Sequence, residues 1–143
     1  MAAEAMALAG RHEEALAKLE SDEELLRRTG LVTWMPEIAR WKGNLLRIAA
    51  PHDHAAALGA FEQAIAQARS QGALALELRA AIDLARLRRD LGAGAEDAVK
   101  ELELALAQVS EGFDTPLVMR VREVVASLRS AFGTNGALHL ATE

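Results

Sequence analysis

The sequence predicts an all-α protein, a solenoid of antiparallel helix hairpins, about seven helices in a right-handed superhelix. Three observations predict it. Apolar residues fill 51% of the 143 positions while aromatics fill 3%, so alanine and leucine carry the apolar content, and both favour helices. Apolar positions recur at three- and four-residue steps in one segment after another, and almost no β-branched run reads as strand. Small residues also recur about every 41 positions, which is the mark of stacked two-helix units.

Residues 1–9 form a short first helix that stops at Gly10. Residues 12–29 form the second, with Ala15, Leu16, Leu19 and Leu26 on one face. Acid-before-base pairs four apart (Glu14 with Lys18, Glu23 with Arg27, Glu24 with Arg28) each add about 0.2–0.5 kcal/mol to its exposed side. Gly30 ends it. Pro36 suits the first turn of a third helix, because its missing N–H has no partner there. That helix runs to about residue 50, with a stripe of Trp34, Ile38, Trp41, Leu45 and Ile48. Asp53 is a candidate N-cap for a fourth helix ending near Gln71, with Ala57, Leu58, Phe61, Ala64 and Ile65 inward.

The centre of the chain is the hairpin over residues 75–115. One helix runs to the break Leu91-Gly92-Ala93-Gly94, a second covers residues 95–110, and the turn Glu111-Gly112-Phe113-Asp114-Thr115-Pro116 closes it. Thr115 is the candidate cap of a seventh helix to about Phe132, burying Leu117, Val121, Val124, Val125 and Leu128. The helical domain is thus 1–132, and residues 133–143 read as a flexible tail.

The hairpins repeat. Ala57, Phe61 and Ala64 stand 41 positions before Ala98, Leu102 and Ala105, and Gly43 stands 42 before Ala85. A hairpin cannot bury both its faces alone, so neighbours stack. The spacing of Gly43 with Ala57-x3-Phe61-x2-Ala64 resembles the tetratricopeptide pattern, in which a small residue lets two helix axes approach and a large one fills the gap opposite. The period exceeds the usual ~34 because the helices are longer.

A second resemblance rests on Ala9-Gly10-Arg11-His12-Glu13-Glu14-Ala15-Leu16, Arg40-Trp41-Lys42-Gly43-Asn44-Leu45-Leu46, Gln71-Gly72-Ala73-Leu74-Ala75-Leu76-Glu77-Leu78-Arg79-Ala80-Ala81 and Glu111-Gly112-Phe113-Asp114-Thr115. Over about residues 5–130 the chain resembles the C-terminal tetratricopeptide-like region of large bacterial predicted ATPases linked to adenylate/guanylate cyclase domains or to transcriptional activators. It departs from that pattern at Asn44, where the family carries Glu, at Trp41, where it carries Leu, and at Ala107-Gln108-Val109, where it carries aromatics. The resemblance implies a regulatory, non-enzymatic scaffold that binds other proteins.

In such arrays the first helix of each pair lines the concave face. Phase from Gly43 places Glu37, Arg40, Asn44 and Arg47 there, and phase from Ala85 places Arg79, Ile82, Arg86 and Arg89. Five arginines on one face of a chain of net charge -5 form a partner-binding groove for a protein or acidic peptide, with arginine as a bidentate clamp and Asn44 as a backbone reader. Two alternatives stand beside it. One is a small-anion or small-ligand sensor with its pocket near Arg40, Arg79 and Arg86. The other is plain helix surface, with the arginines paired to Glu37, Asp83 and Asp90.

Other classes find little support. The acidic balance argues against nucleic acid, which needs a basic face. No uncharged run nears the ~20 residues of a membrane span, and residues 1–9 lack the basic start of a signal peptide. Cysteine is absent, which excludes disulfides and points to a reducing, cytoplasmic home. No phosphate-binding loop or nucleophile elbow is present, so neither catalysis nor a cofactor is expected. His52 and His54 are spaced two apart, not the four a helical metal pair needs, so no metal is expected. Trp34, Trp41 and Phe113 read as core fillers. Ala2, Ala5, Met6 and Ala9 lack a capping repeat ahead of them, which predicts a homodimer through this end or a larger parent chain.

Overall fold

The computed structural model describes residues 5–6 and 8–140, residues 132–140 by backbone alone. From residue 12 onward, six α-helices follow one another among the described residues: α1 (His12–Thr29), α2 (Met35–Ala49), α3 (His54–Ser70), α4 (Leu74–Leu91), α5 (Ala95–Ala107) and α6 (Pro116–Leu140), with a 3-10 turn at Val32–Trp34. There is no strand among the described residues. Of the helix predicted over residues 1–9, residues 5, 6 and 8 are described and helical, and of the dimer contact assigned to it only Ala2 lies outside the described residues, while Ala5 and Ala9 are exposed. Met6 packs half-buried against Ala15, Leu19, Ile38 and Leu45.

Packing follows chain order. Each helix packs on the next, and α4 also packs on α2 and α6. The resulting apolar interior has two parts. A smaller one joins α1 to α2 through Ala15, Leu19, Ile38 and Leu45. The larger one runs from Ala39 of α2 through α3, α4 and α5 to Leu128 of α6. Helix α2 serves both, with Ile38 and Leu45 toward the first and Ala39 and Leu46 toward the second.

The α2–α3 contact depends on one glycine. A Cβ built on Gly43 would lie 2.7 Å from Cε1 and 2.8 Å from Cδ1 of Phe61, whose ring is fully buried. The expected small-against-large pairing is therefore present at this crossing. In the next hairpin Ala85, Ala98, Leu102 and Ala105 are all buried. The α4–α5 turn uses two left-handed glycines, Gly92 at φ 71° and Gly94 at φ 75°, a region where any side chain strains the backbone.

Several expectations need correction. Trp34 and Phe113 are about half exposed, and so is Ile48. Trp34 sits in the 3-10 turn, whose phase differs from that of the helix it precedes, and Ile48 lies in the last turn of α2. Asp53 stands at the start of α3 without a side-chain capping bond. The Thr115 hydroxyl donates backward to the Gly112 carbonyl at 2.8 Å. Lys18 pairs with Asp22, and Glu14 with Arg11. Helix α5 ends at Ala107, not Ser110. Helix α6 continues to Leu140, through Gly133 and Gly136, where a tail was expected. Each glycine costs about 1 kcal/mol relative to alanine, but no proline stands there to break the ladder.

One cross-helix ion bridge has no counterpart among the expectations. Arg69 of α3 donates to Glu77 of α4 at 2.8 Å and to Glu101 of α5 at 3.1 Å. Glu77 is 3% exposed. The hydrogen bond to Glu77 holds the guanidinium above its ordinary pKa, against the opposing effect of desolvation. Glu77 lies in register with Ala80, Leu84 and Leu87, so a carboxylate in an apolar stripe was the available signal. Arg69→Ala is expected to cost about 1–3 kcal/mol in urea unfolding, because it strands a buried charge.

Candidate functional site

Helices α2 and α4 lie side by side, so their outward residues share one face. Near the start of α2, Arg40 forks onto Glu37, with Nε to Oε1 at 3.0 Å and Nη2 to Oε2 at 2.9 Å. Its third nitrogen reaches across to α4 and donates to Asp83 Oδ2 at 2.9 Å. Arg79 stands 3.8 Å from Glu37. Burial opposes the Arg40 cation, but the bonds to Glu37 and Asp83 outweigh it and raise its pKa above the ordinary value. This guanidinium is therefore already engaged by the chain's own carboxylates.

Asn44 is engaged too. Its amide donates to Asp83 Oδ2 at 2.8 Å, so it is not free to read a partner's backbone with its NH2 group. Glu37 is 3% exposed and Ile82 2%. Neither lines a groove. Ile82 belongs to the main core, because α4 is packed by α2, α3, α5 and α6, so its exposed strip is narrower than the phase argument assumed. Arg89 is exposed and lies 3.3 Å from Asp90. The plain-surface alternative thus accounts for Arg40, Arg79 and Arg89 with the partners it named.

It does not account for Arg47 and Arg86. Both are exposed, and neither has an ion pair among the described residues. Together with Asn44, Asp83, Arg89 and Asp90 they line a depression of about 190 Å3 between α2 and α4. The predicted groove thus divides into a closed half around Arg40 and an open half around Arg47 and Arg86. A larger, more open hollow of about 360 Å3 lies over Lys100, Glu103 and Leu104 of α5. Glu103 there is taken by Arg129, which leaves that hollow with little converging chemistry.

Among the described residues no three His, Asp or Glu side chains converge as a metal site. No helix among them is long and apolar enough to cross a membrane. No known protein family, curated protein or solved structure matches the chain.

Proposed function

We propose that the chain is a non-enzymatic interaction module, a tetratricopeptide-like solenoid with a right-handed superhelix, that accepts an acidic segment of a partner protein on the α2–α4 face. The observation that carries this is the pair Arg47 and Arg86: two exposed guanidiniums from neighbouring helices, without an ion pair among the described residues, that open on one depression. Guanidinium hydrogen bonds to a carboxylate are stronger than neutral ones and geometrically selective. The chain-order packing and the Gly43–Phe61 crossing support the repeat reading. The parentage this suggests is the repeat region of bacterial signalling ATPases or cyclase-linked regulators, acting in the cytoplasm.

The depression is smaller than the roughly 300–1,000 Å3 of ordinary small-molecule sites. That favours a single acidic residue over a cofactor-sized ligand, and so the scaffold reading over the sensor. The experiment is fluorescence anisotropy with labelled acidic peptides at low salt. The double variant Arg47→Ala/Arg86→Ala should weaken binding at least tenfold and leave the melting temperature within a degree or two, since neither side chain is buried. Equal binding by the variant, or no binding of any acidic peptide by the native chain, overturns the reading.

A further inference from the structure

The open depression is not a simple anion site. Two carboxylates, Asp83 and Asp90, share it with Arg47, Arg86 and Arg89. A ligand that is only anionic meets like charge on one side. A carboxylate can accept about four hydrogen bonds. Asp83 accepts two, both at Oδ2, from Arg40 and Asn44, while Oδ1 has none among the described residues. Those two donors come from α2, so the carboxylate is held in place by a neighbouring helix. Its charge is only partly offset, because Arg40 is shared with Glu37.

We infer that this depression recognises an acidic residue with a free α-ammonium group: the ammonium on Asp83, and the carboxylates on Arg47 and Arg86. The inference rests on the reading of this face as an acceptor of acidic chains, and it adds which end of the chain is read. The register supports it. Arg86 lies three residues beyond Asp83, and Arg47 three beyond Asn44. Three residues advance a helix by about 4.5 Å, a separation that a glutamate spans between its ammonium and its side-chain carboxylate. The volume admits one such residue. Its source is either the N-terminus of a partner chain or the free amino acid.

Isothermal titration of the full chain at pH 6.5 separates these cases. The probes are Glu-Glu-Ala-Ala amide, its N-acetyl form and free glutamate. The free-amine peptide should bind at least tenfold more tightly than the acetylated one. The preference should fade above pH 9, where an α-amino group of pKa about 7.7–8.0 has lost its proton. Asp83→Asn should abolish the preference while Arg47→Ala/Arg86→Ala weakens both peptides. Glutamate binding as tightly as the peptide assigns the site to the free amino acid, and tenfold weaker binding assigns it to a chain end. Equal binding of the acetylated peptide overturns this inference and leaves the acidic-partner reading standing; binding of glutamate alone keeps this inference and overturns the acidic-partner reading; binding of none of the three probes overturns both. Should Asp83→Asn fail to fold, the two peptides on the native chain decide alone.

Discussion

Arg40→Ala should destabilise the fold by about 3–5 kcal/mol, the usual cost of removing one partner from a buried ion pair. Glu37 is 3% exposed and takes both of its close hydrogen bonds from Arg40. Without that fork, its remaining cation is Arg79 at 3.8 Å. Asp83 loses a bond at the same time, although Asn44 still holds it. Arg79→Ala, by contrast, should change stability by less than about 1 kcal/mol, because Arg79 is half exposed and its contact with Glu37 is loose. Replacing both partners, as in Glu37→Leu/Arg40→Met, should cost less than either single truncation, since no lone charge remains inside. Urea unfolding of Arg40→Ala, Glu37→Leu, Arg79→Ala and the double variant checks the order. A double variant weaker than both singles would count against the buried pair as the source of the cost.

Gly43→Ala is expected to lose about 1–3 kcal/mol despite the gain of roughly 1 kcal/mol that alanine brings to a helix. The new methyl would stand 2.7 Å from a ring with no room to retreat, so α2 and α3 must separate. The repeat indicates the remedy. Forty-two positions on from Gly43 stands Ala85, and 41 on from Phe61 stands Leu102, both fully buried. Gly43→Ala/Phe61→Leu rebuilds that pairing one hairpin earlier. Its cost should fall short of the summed single costs by about 1 kcal/mol or more, within the range for residues in contact. Additive costs would show that the two residues do not share the strain.

How far the sequence reached differs by element. The breaks at Gly30, Pro51, Gly72 and Gly92 were legible because a left-handed or N–H-free residue ends a helix through its own backbone. The crossing of Gly43 with Phe61 was legible because close approach of two axes demands a missing side chain. The site was half legible. Phase located one face bearing Arg40, Arg47, Arg79, Arg86 and Arg89. It named Glu37 and Asp83 as possible partners of the arginines, but it could not say that Asp83 of α4 would take Arg40 of α2, since that depends on the distance between the two helices. Ile82 was misplaced for the same reason: a helix with four neighbours has little free surface, and neighbour number is a property of the packing. Trp34 was misplaced because a three-residue turn in a different helical register precedes Met35.

By itself, then, the sequence determined an all-helical chain, the places where its helices end, and the glycine where two of them cross. Each of these follows from backbone chemistry or from periodicity within a single segment. Only the tertiary structure decided which charges are spent internally and which stay open. The Arg40–Asp83 and Arg79–Glu37 pairs join helices some forty residues apart in the chain, and such partners are chosen by ångström-scale placement that no local pattern encodes. That choice closed the Arg40 half of the face and left Arg47 and Arg86 beside Asp83 as its open half.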